Sequence, residues 1–387
     1  MFEILVLNDI SPAGLARLPA DRYRVGADVA APDAVLVRSF DMHGFALADS
    51  VKAVARAGAG VNNIPYEALA KRGIPVFNAP GANANAVKEL TLAGMLLAAR
   101  NVCAAWEFAR SLEGDDEAIT HQVEEGKRRF VGFELPGRTL GVIGLGAVGV
   151  LVANAALELG MRVVGYDPEI TVRRAWQLDA EVRQAESVAD LLGRADLVTL
   201  HVPLNEHTRH LIGARGLGMM RDGATVLNFS RDGIVDDEAV LAALDTGRLH
   251  AYVCDFPSRR LMGHPRVIAL PHIGASTREA EENCAVMVAE QLRDYLEDGN
   301  IRHSVNFPEV VIPRNEGYRV AVVNANVPNM LGQISTALAN AGLNIVDMLN
   351  RSRGEIAYTL ADVEAPVPKR VVAEIAAIEG VMSVRSL

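Results

Sequence analysis

The run Gly144-Leu145-Gly146-Ala147-Val148-Gly149 decides how this chain is read, through its neighbours as much as its letters. It follows an apolar, strand-like stretch, Thr139-Leu140-Gly141-Val142-Ile143, and opens a helix-like stretch from Val150 to Leu159. A second strand-like run, Met161 to Tyr166, ends in Asp167, eighteen residues past the last glycine. Strand, glycine turn, helix, strand and acid is the arrangement that binds a dinucleotide. In it Gly144 permits the tight turn, Gly146 lets backbone approach a pyrophosphate, and Gly149 lets the helix pack on the strand. The helix N-terminus that follows Ala147 and Val148 faces the phosphates with free N–H groups. Asp167 bonds the ribose hydroxyls and repels a 2′-phosphate, which favours NAD over NADP. A glycine-rich turn in some other α/β domain is the competing reading.

The bulk numbers narrow the class. A chain of 387 residues holds two or three domains and buries a large core. Half of it is hydrophobic, yet no apolar run is long enough to span a bilayer. Met1-Phe2-Glu3-Ile4-Leu5-Val6-Leu7 reads as a first strand and lacks the basic start of a signal peptide. Cys103, Cys254 and Cys284 are too few and too scattered for a disulfide framework or a metal site, so buried, reduced thiols are expected. A formal charge of −10 speaks against nucleic acid as partner. The expectation is a cytoplasmic globular protein acting on a small molecule, with no metal and no membrane.

Because the fingerprint starts only at residue 144, a folded unit must precede it. Short β-like runs at 3–7, 34–37 and 74–77 give that part an α/β pattern. A long helix is expected from about Asn85 to Leu112, bridging two domains, and residues 115–129 read as surface loop or frayed helix. Strand-like runs at 197–202, 225–229, 251–253 and 267–270 continue the doubly wound sheet. A second amphipathic helix runs from Ser276 to Asp298, and a linker follows over 307–317. The last seventy residues, 318–387, read as a separate βαββαβ unit, the ferredoxin-like order.

Chemistry is expected where strands of the doubly wound sheet end. Arg231, in Asn228-Phe229-Ser230-Arg231-Asp232-Gly233, suits a substrate carboxylate through a bidentate fork. The residue type fits a surface ion pair equally well. His272, in Pro271-His272-Ile273-Gly274, is a general-base candidate at a strand end. Gly58-Ala59-Gly60-Val61-Asn62-Asn63 offers backbone N–H groups to a carboxylate.

The order Arg38-Ser39, Gly58–Asn63, Asn78-Ala79-Pro80-Gly81-Ala82-Asn83, the glycine fingerprint, Arg231 and Pro271-His272 resembles the D-2-hydroxyacid dehydrogenase family over nearly the whole chain. The last seventy residues resemble an ACT domain. Together they are similar to the short, ACT-bearing members that oxidise D-3-phosphoglycerate to 3-phosphohydroxypyruvate, the first step of L-serine biosynthesis. The resemblance implies a Rossmann-type NAD domain over 91–284 inserted into a split, flavodoxin-like substrate domain over 1–90 and 285–306, followed by the ACT domain over 318–387, in a homodimer or homotetramer. It implies that Arg231 holds the substrate carboxylate, His272 takes the C2 hydroxyl proton, and Asp255 bonds the nicotinamide carboxamide. Arg38 and Ser39 bind the 3-phosphate, and the loop of Gly58, Ala59, Gly60, Val61, Asn62 and Asn63 covers the carboxylate. Asn324, Asn326 and Asn344 fall where an L-serine effector binds between two paired ACT domains. An ACT domain that only pairs sheet edges is the other reading. The neighbouring activities are a hydroxypyruvate or glyoxylate reductase and a weakly active NAD(H)-binding sensor.

One departure bears on rate. The family places a Glu shortly after the Asp-Phe-Pro segment to pair with the catalytic His; here Arg259, or Arg260 with a slip of one residue, stands there. A guanidinium beside His272 disfavours the imidazolium that forms as the proton transfers. Either another carboxylate such as Asp232 substitutes, or both arginines turn to solvent, or catalysis is slow.

Overall fold

Among the described residues three sheets follow one another along the chain. The computed structural model describes every residue except Asn315 and Glu316, so the linker expected over 307–317 lies partly outside the described residues. The first sheet contains β1 (Phe2–Leu7), β2 (Tyr23–Gly26), β3 (Ala34–Val37), β4 (Ala53–Arg56) and β5 (Val76–Phe77). All pairs are parallel and the order is β2-β1-β3-β4-β5, the flavodoxin-like order. The second sheet holds β6 (Thr139–Ile143), β7 (Arg162–Tyr166), β8 (Arg183–Gln184), β9 (Leu197–Leu200), β10 (Ala224–Asn228), β11 (Leu249–Cys254) and β12 (Val267–Ala269). It too is parallel, in the order β12-β11-β10-β9-β6-β7-β8. Strand order reverses between β6 and β9, the switch point where such sheets take ligands. The third sheet is antiparallel: β13 (Tyr318–Ala325), β14 (Ile345–Arg353), β15 (Ile356–Val363) and β16 (Val381–Ser386), ordered β14-β15-β13-β16.

The residues gather into two compact units, Met1–Asn83 with Arg278–Leu387, and Ala84–Thr277. The sequence places both boundaries later, at 91 and 285, because periodicity alone does not show that a helix stays whole. Helix Ala84–Ala99 sends Val87 and Met95 into the core around β6, and helix Arg278–Asp298 sends Ala285, Val288 and Leu292 into the core around β1.

The long helix expected over 85–112 is two helices. Asn101 sits at φ 50 and breaks it into Ala84–Ala99 and Val102–Arg110. The second piece buries none of its residues, and Cys103 on it is exposed, unlike Cys254 and Cys284. The stretch at 115–129 folds as helix Asp116–Gly126, capped by the Asp115 carboxylate accepting from the Ala118 N–H at 2.9 Å. No helix among the described residues is long and apolar enough to cross a membrane.

The final seventy residues have the expected element order, but they are not a separate unit. One face of their sheet is covered by helices Met330–Asn340 and Lys369–Ala376, through Val320, Val322, Ile334, Leu338, Val371 and Ile375. The other face, with Ala321, Val323, Tyr358 and Leu360, joins the core of the first sheet at Phe77, Tyr295, Leu296 and Phe307. Every position of β15 is buried, so both faces need cover. Polar contacts fix the junction. The fully buried Arg319 donates to Asp362 at 2.6 and 2.8 Å and to the carbonyls of Asp298 and Ile312 at 2.8 and 3.1 Å. Tyr358 Oη donates to the Gly299 carbonyl at 2.6 Å, and Arg385 lies 4.1 Å over the Tyr295 ring.

Candidate active site

In the unit Ala84–Thr277 the glycine turn follows β6. Gly144 has φ +92, and a side chain there would meet the His201 carbonyl at 2.5 Å. A side chain at Gly149 would fall 1.9 Å from the Gly144 carbonyl, whereas the space over Gly146 is open. That open space, with the N–H groups of Ala147, Val148 and Gly149 starting helix Ala147–Glu158, fits a pyrophosphate. Asp167 follows β7 and accepts from the Leu145 N–H at 2.7 Å, so the acid also holds the turn in shape.

His201 backs this turn from the end of β9, its Nε2 2.9 Å from Thr199 Oγ1. Desolvation pushes its pKa down to about 3. The folded ring therefore stays neutral where the unfolded one gains a proton, so stability is complete above about pH 6.5 and falls as pH drops below it. The slope approaches about 1.4 kcal/mol per pH unit. Urea unfolding near pH 7.5 and near pH 5 is expected to show a larger loss in wild type than in His201→Gln; equal losses would remove His201 from the account.

Two neighbouring strand ends shape the next two turns in the same way. At the end of β10, Asn228 donates from Nδ2 to the Arg231 carbonyl at 2.9 Å and accepts from the Ser230 N–H at 3.2 Å. Arg231 is exposed; its Nη1 reaches the Ser230 carbonyl, and it forms no ion pair among the described residues. Just past β11, Asp255 is 1% exposed and accepts from the N–H groups of Ile273 and Gly274 at 2.8 and 2.7 Å. These bonds fix the turn carrying His272, which is held at φ 56. A short polar side chain at a strand end organises the following turn. β10 pairs with β11 through Asn228 and Cys254, and β11 with β12 through Cys254 and Ala269, so Arg231 and His272 issue from the same end of the sheet, past β10 and β12, with β11 and its Asp255 between them.

His272 is exposed, its ring edge against Phe256 with centroids 5.1 Å apart. The histidines near a carboxylate among the described residues are His43, His121, His210 and His264, so His272 has no such partner there. Asp232 does not take the missing acid's place. Arg259 and Arg260 both lie at solvent, Arg260 with Nη1 3.8 Å from Glu238. Cys254 beneath this edge is buried, which pushes its thiol up to about 11.

In the other unit, Asn8 (φ 61), just past β1, accepts from the N–H groups of Arg38 and Phe40 at 3.4 and 3.1 Å and donates to Ser39 Oγ at 2.9 Å. Arg56, at the end of β4, donates from Nε to the Arg38 carbonyl at 3.0 Å and from Nη1 to the Gly60 carbonyl at 2.5 Å. It runs beneath Gly58, where a side chain would lie 2.4 Å from that Nη1. Asn63 Nδ2 ties the loop to the Phe40 carbonyl at 2.8 Å, and Asn78 Nδ2 ties it to the Ala59 carbonyl at 2.6 Å. Among the described residues the N–H groups of Ala59, Gly60, Val61, Asn62 and Asn63 have no protein acceptor. Arg38 Nη2 pairs with Glu281 in the first turn of helix Arg278–Asp298. Behind the pair lies Cys284, whose thiol burial raises in spite of Arg56 and Arg38.

Asn8, Arg56 and Glu281 escape sequence reading. A polar residue closing a parallel strand is the available signal for Asn8 and Arg56; nothing local marks Glu281.

The three asparagines of the last sheet do not meet within one chain. Asn324 is buried and donates to the Ala325 carbonyl at 2.7 Å, and Asn326 donates to Gly354 at 3.0 Å. Asn344 donates to Glu364 at 2.9 Å, where β15 pairs Val363 with Tyr318. Asn324 pairs opposite Ala357, at the other end of the same strands, on the order of 20 Å away. A strand followed by one antiparallel helix returns the chain to the far edge.

Residues 92–274 match the family described as D-isomer specific 2-hydroxyacid dehydrogenase, NAD binding domain. The chain is 36% identical over 321 residues to the D-3-phosphoglycerate dehydrogenase of Methanocaldococcus jannaschii, covering 81% of this chain and 58% of that protein. It is 33% identical over 341 residues to the Escherichia coli enzyme of the same name, covering 85% and 79%. Thus it spans little over half the length of the first relative and about four-fifths of the second. The NAD+-bound 3-phosphoglycerate dehydrogenase of Entamoeba histolytica superposes with a TM-score of 0.61 at 26% identity, over 79% of this chain and 98% of that one. The sheet order, the glycine turn and these relatives agree: the chain belongs to the NAD-dependent D-isomer specific 2-hydroxyacid dehydrogenases.

Proposed function

We propose that this chain oxidises D-3-phosphoglycerate to 3-phosphohydroxypyruvate with NAD, the step that opens L-serine synthesis. The observation that carries the reading is the pair of turns at one end of the sheet, past β10 and β12 and held by Asn228 and Asp255, that present Arg231 and His272. When bound, NAD accepts the hydride from C2. Gly144, Gly146, Ala147, Val148 and Gly149 hold its pyrophosphate and Asp167 its ribose. Asp255 gives its carboxylate to the His272 turn through two short bonds, which supports a positioning role beside the carboxamide contact. The Arg231 guanidinium binds the substrate carboxylate and sets the C2 oxygen toward His272. His272 Nε2 or Nδ1 then takes the hydroxyl proton as C2 is oxidised.

Arg38 and Ser39 receive the 3-phosphate. The loop from Gly58 to Asn63 receives the carboxylate end through the N–H groups of Ala59 to Asn63, which have no protein acceptor among the described residues. Both readings are supported by the cradle that Asn8 and Arg56 build. The C-terminal sheet and its helices are assigned as an ACT domain. Asn324 and Asn326 of one copy with Asn344 of another would bind L-serine in a homodimer or homotetramer, since one chain holds them apart.

Initial rates with NAD test the function: D-3-phosphoglycerate is expected to exceed D-glycerate in kcat/KM by at least about tenfold, because only it engages Arg38 with a dianion. Equal rates, or preferred reduction of glyoxylate or hydroxypyruvate, would favour a reductase. Arg259→Glu puts an acid at the sequence position where the family has one. It is expected to raise kcat by up to about fivefold, the reach of an exposed ion pair. An unchanged or lower kcat would show that the missing acid does not limit turnover.

A further inference from the structure

Arg38 reaches the substrate cradle already paired with a charge of its own chain. Glu281 holds its Nη2, and the two side chains are 41% and 39% exposed. Neither is walled in, so a ligand can displace the contact. The rest of the cradle is committed differently. Arg56 spends Nε and Nη1 on the carbonyls of Arg38 and Gly60, and Ser39 Oγ accepts from Asn8. Five successive N–H groups, from Ala59 to Asn63, meet no protein acceptor among the described residues. The carboxylate on Arg38 therefore sits at the edge of an anion cradle that is otherwise open. It is held there by the first turn of helix Arg278–Asp298, the helix end that favours negative charge.

We propose that Glu281 occupies the place on Arg38 that the substrate's phosphoryl group takes, an internal competing anion that weakens phosphate binding and hastens its release. The inference rests on the reading of Arg38 as the phosphate ligand. A phosphoryl dianion and a carboxylate cannot both lie against one guanidinium nitrogen without strong repulsion, so binding must first break the pair. Arg38 keeps its remaining donors for the incoming oxygens, because a guanidinium carries five N–H groups. The rival role for Glu281 is to orient Arg38 for the ligand, and that role predicts the opposite sign. Repulsion wins on magnitude. It acts on two phosphate charges at close range, whereas orienting Arg38 saves only part of one side chain's freedom.

The test titrates inorganic phosphate into the full chain by calorimetry, for wild type, Glu281→Gln, Arg38→Gln and the double variant. Glu281→Gln is expected to bind phosphate about three- to tenfold tighter and to lower the KM for D-3-phosphoglycerate in step. Arg38→Gln is expected to abolish that gain. Phosphate binding unchanged or weakened in Glu281→Gln would overturn the proposal and leave Glu281 as an orienting residue. Tightening that persists in the double variant would overturn it too, by placing the anion elsewhere. Tightening in a protein that does not oxidise D-3-phosphoglycerate would uphold the competing anion and sink the proposed function instead.

Discussion

His272→Gln is expected to lower kcat by about a hundredfold to ten-thousandfold while leaving NAD affinity unchanged. Glutamine keeps the size and one hydrogen-bonding edge of the ring but cannot take a proton. The side chain stands on a turn fixed by Asp255 through two consecutive N–H groups, so the loss is chemical rather than a collapse of the site. Fluorescence titration with NADH separates the two: an unaltered dissociation constant beside a large fall in kcat confirms the role. A loss below about tenfold would place the proton acceptor elsewhere. His272 is exposed and has no carboxylate partner among the described residues. Solvent reaches it, and Arg259 and Arg260 stand out in water rather than against it.

Arg319→Ala is expected to destabilise the protein by about 3–5 kcal/mol, the cost of leaving a buried charge without its partner. Asp362 is 8% exposed and would lose both bonds from Arg319, while the carbonyls of Asp298 and Ile312 would lose their donor. Replacing the pair together, Arg319→Met with Asp362→Leu, is expected to recover much of that loss, because two apolar side chains need no desolvation. Urea unfolding measures both. The last sheet and the first share one core, so probes in each are expected to report one transition. A loss under about 1 kcal/mol, or two separated transitions, would contradict the shared core.

The glycine turn and Asp167 were legible because their constraints are local: a positive φ at Gly144, a close approach at Gly149, an acid ending the next strand. Arg231 and His272 were legible because strand ends of a doubly wound sheet collect ligands. What stayed hidden depends on distant pairing. Nothing local in Tyr318–Ala325 or Ile356–Val363 names their partner, although a strand buried at every position implies cover on both faces. Glu281 lies far from Arg38 in sequence and meets it only because helix Arg278–Asp298 returns to the first sheet. The distance between Asn344 and Asn324 was hidden too, because the antiparallel register that sets them at opposite ends of the strands is a long-range pairing. The break at Asn101 was hidden because the apolar pattern runs on past it.

The most direct test of the central claim uses D-3-phosphoglycerate carrying deuterium at C2, incubated with NAD and the full chain, with the nicotinamide product weighed by mass spectrometry. NADH bearing one deuterium per turnover is expected, with the signal lost in His272→Gln. NADH without deuterium, or none formed by a protein that demonstrably binds NAD, would contradict it.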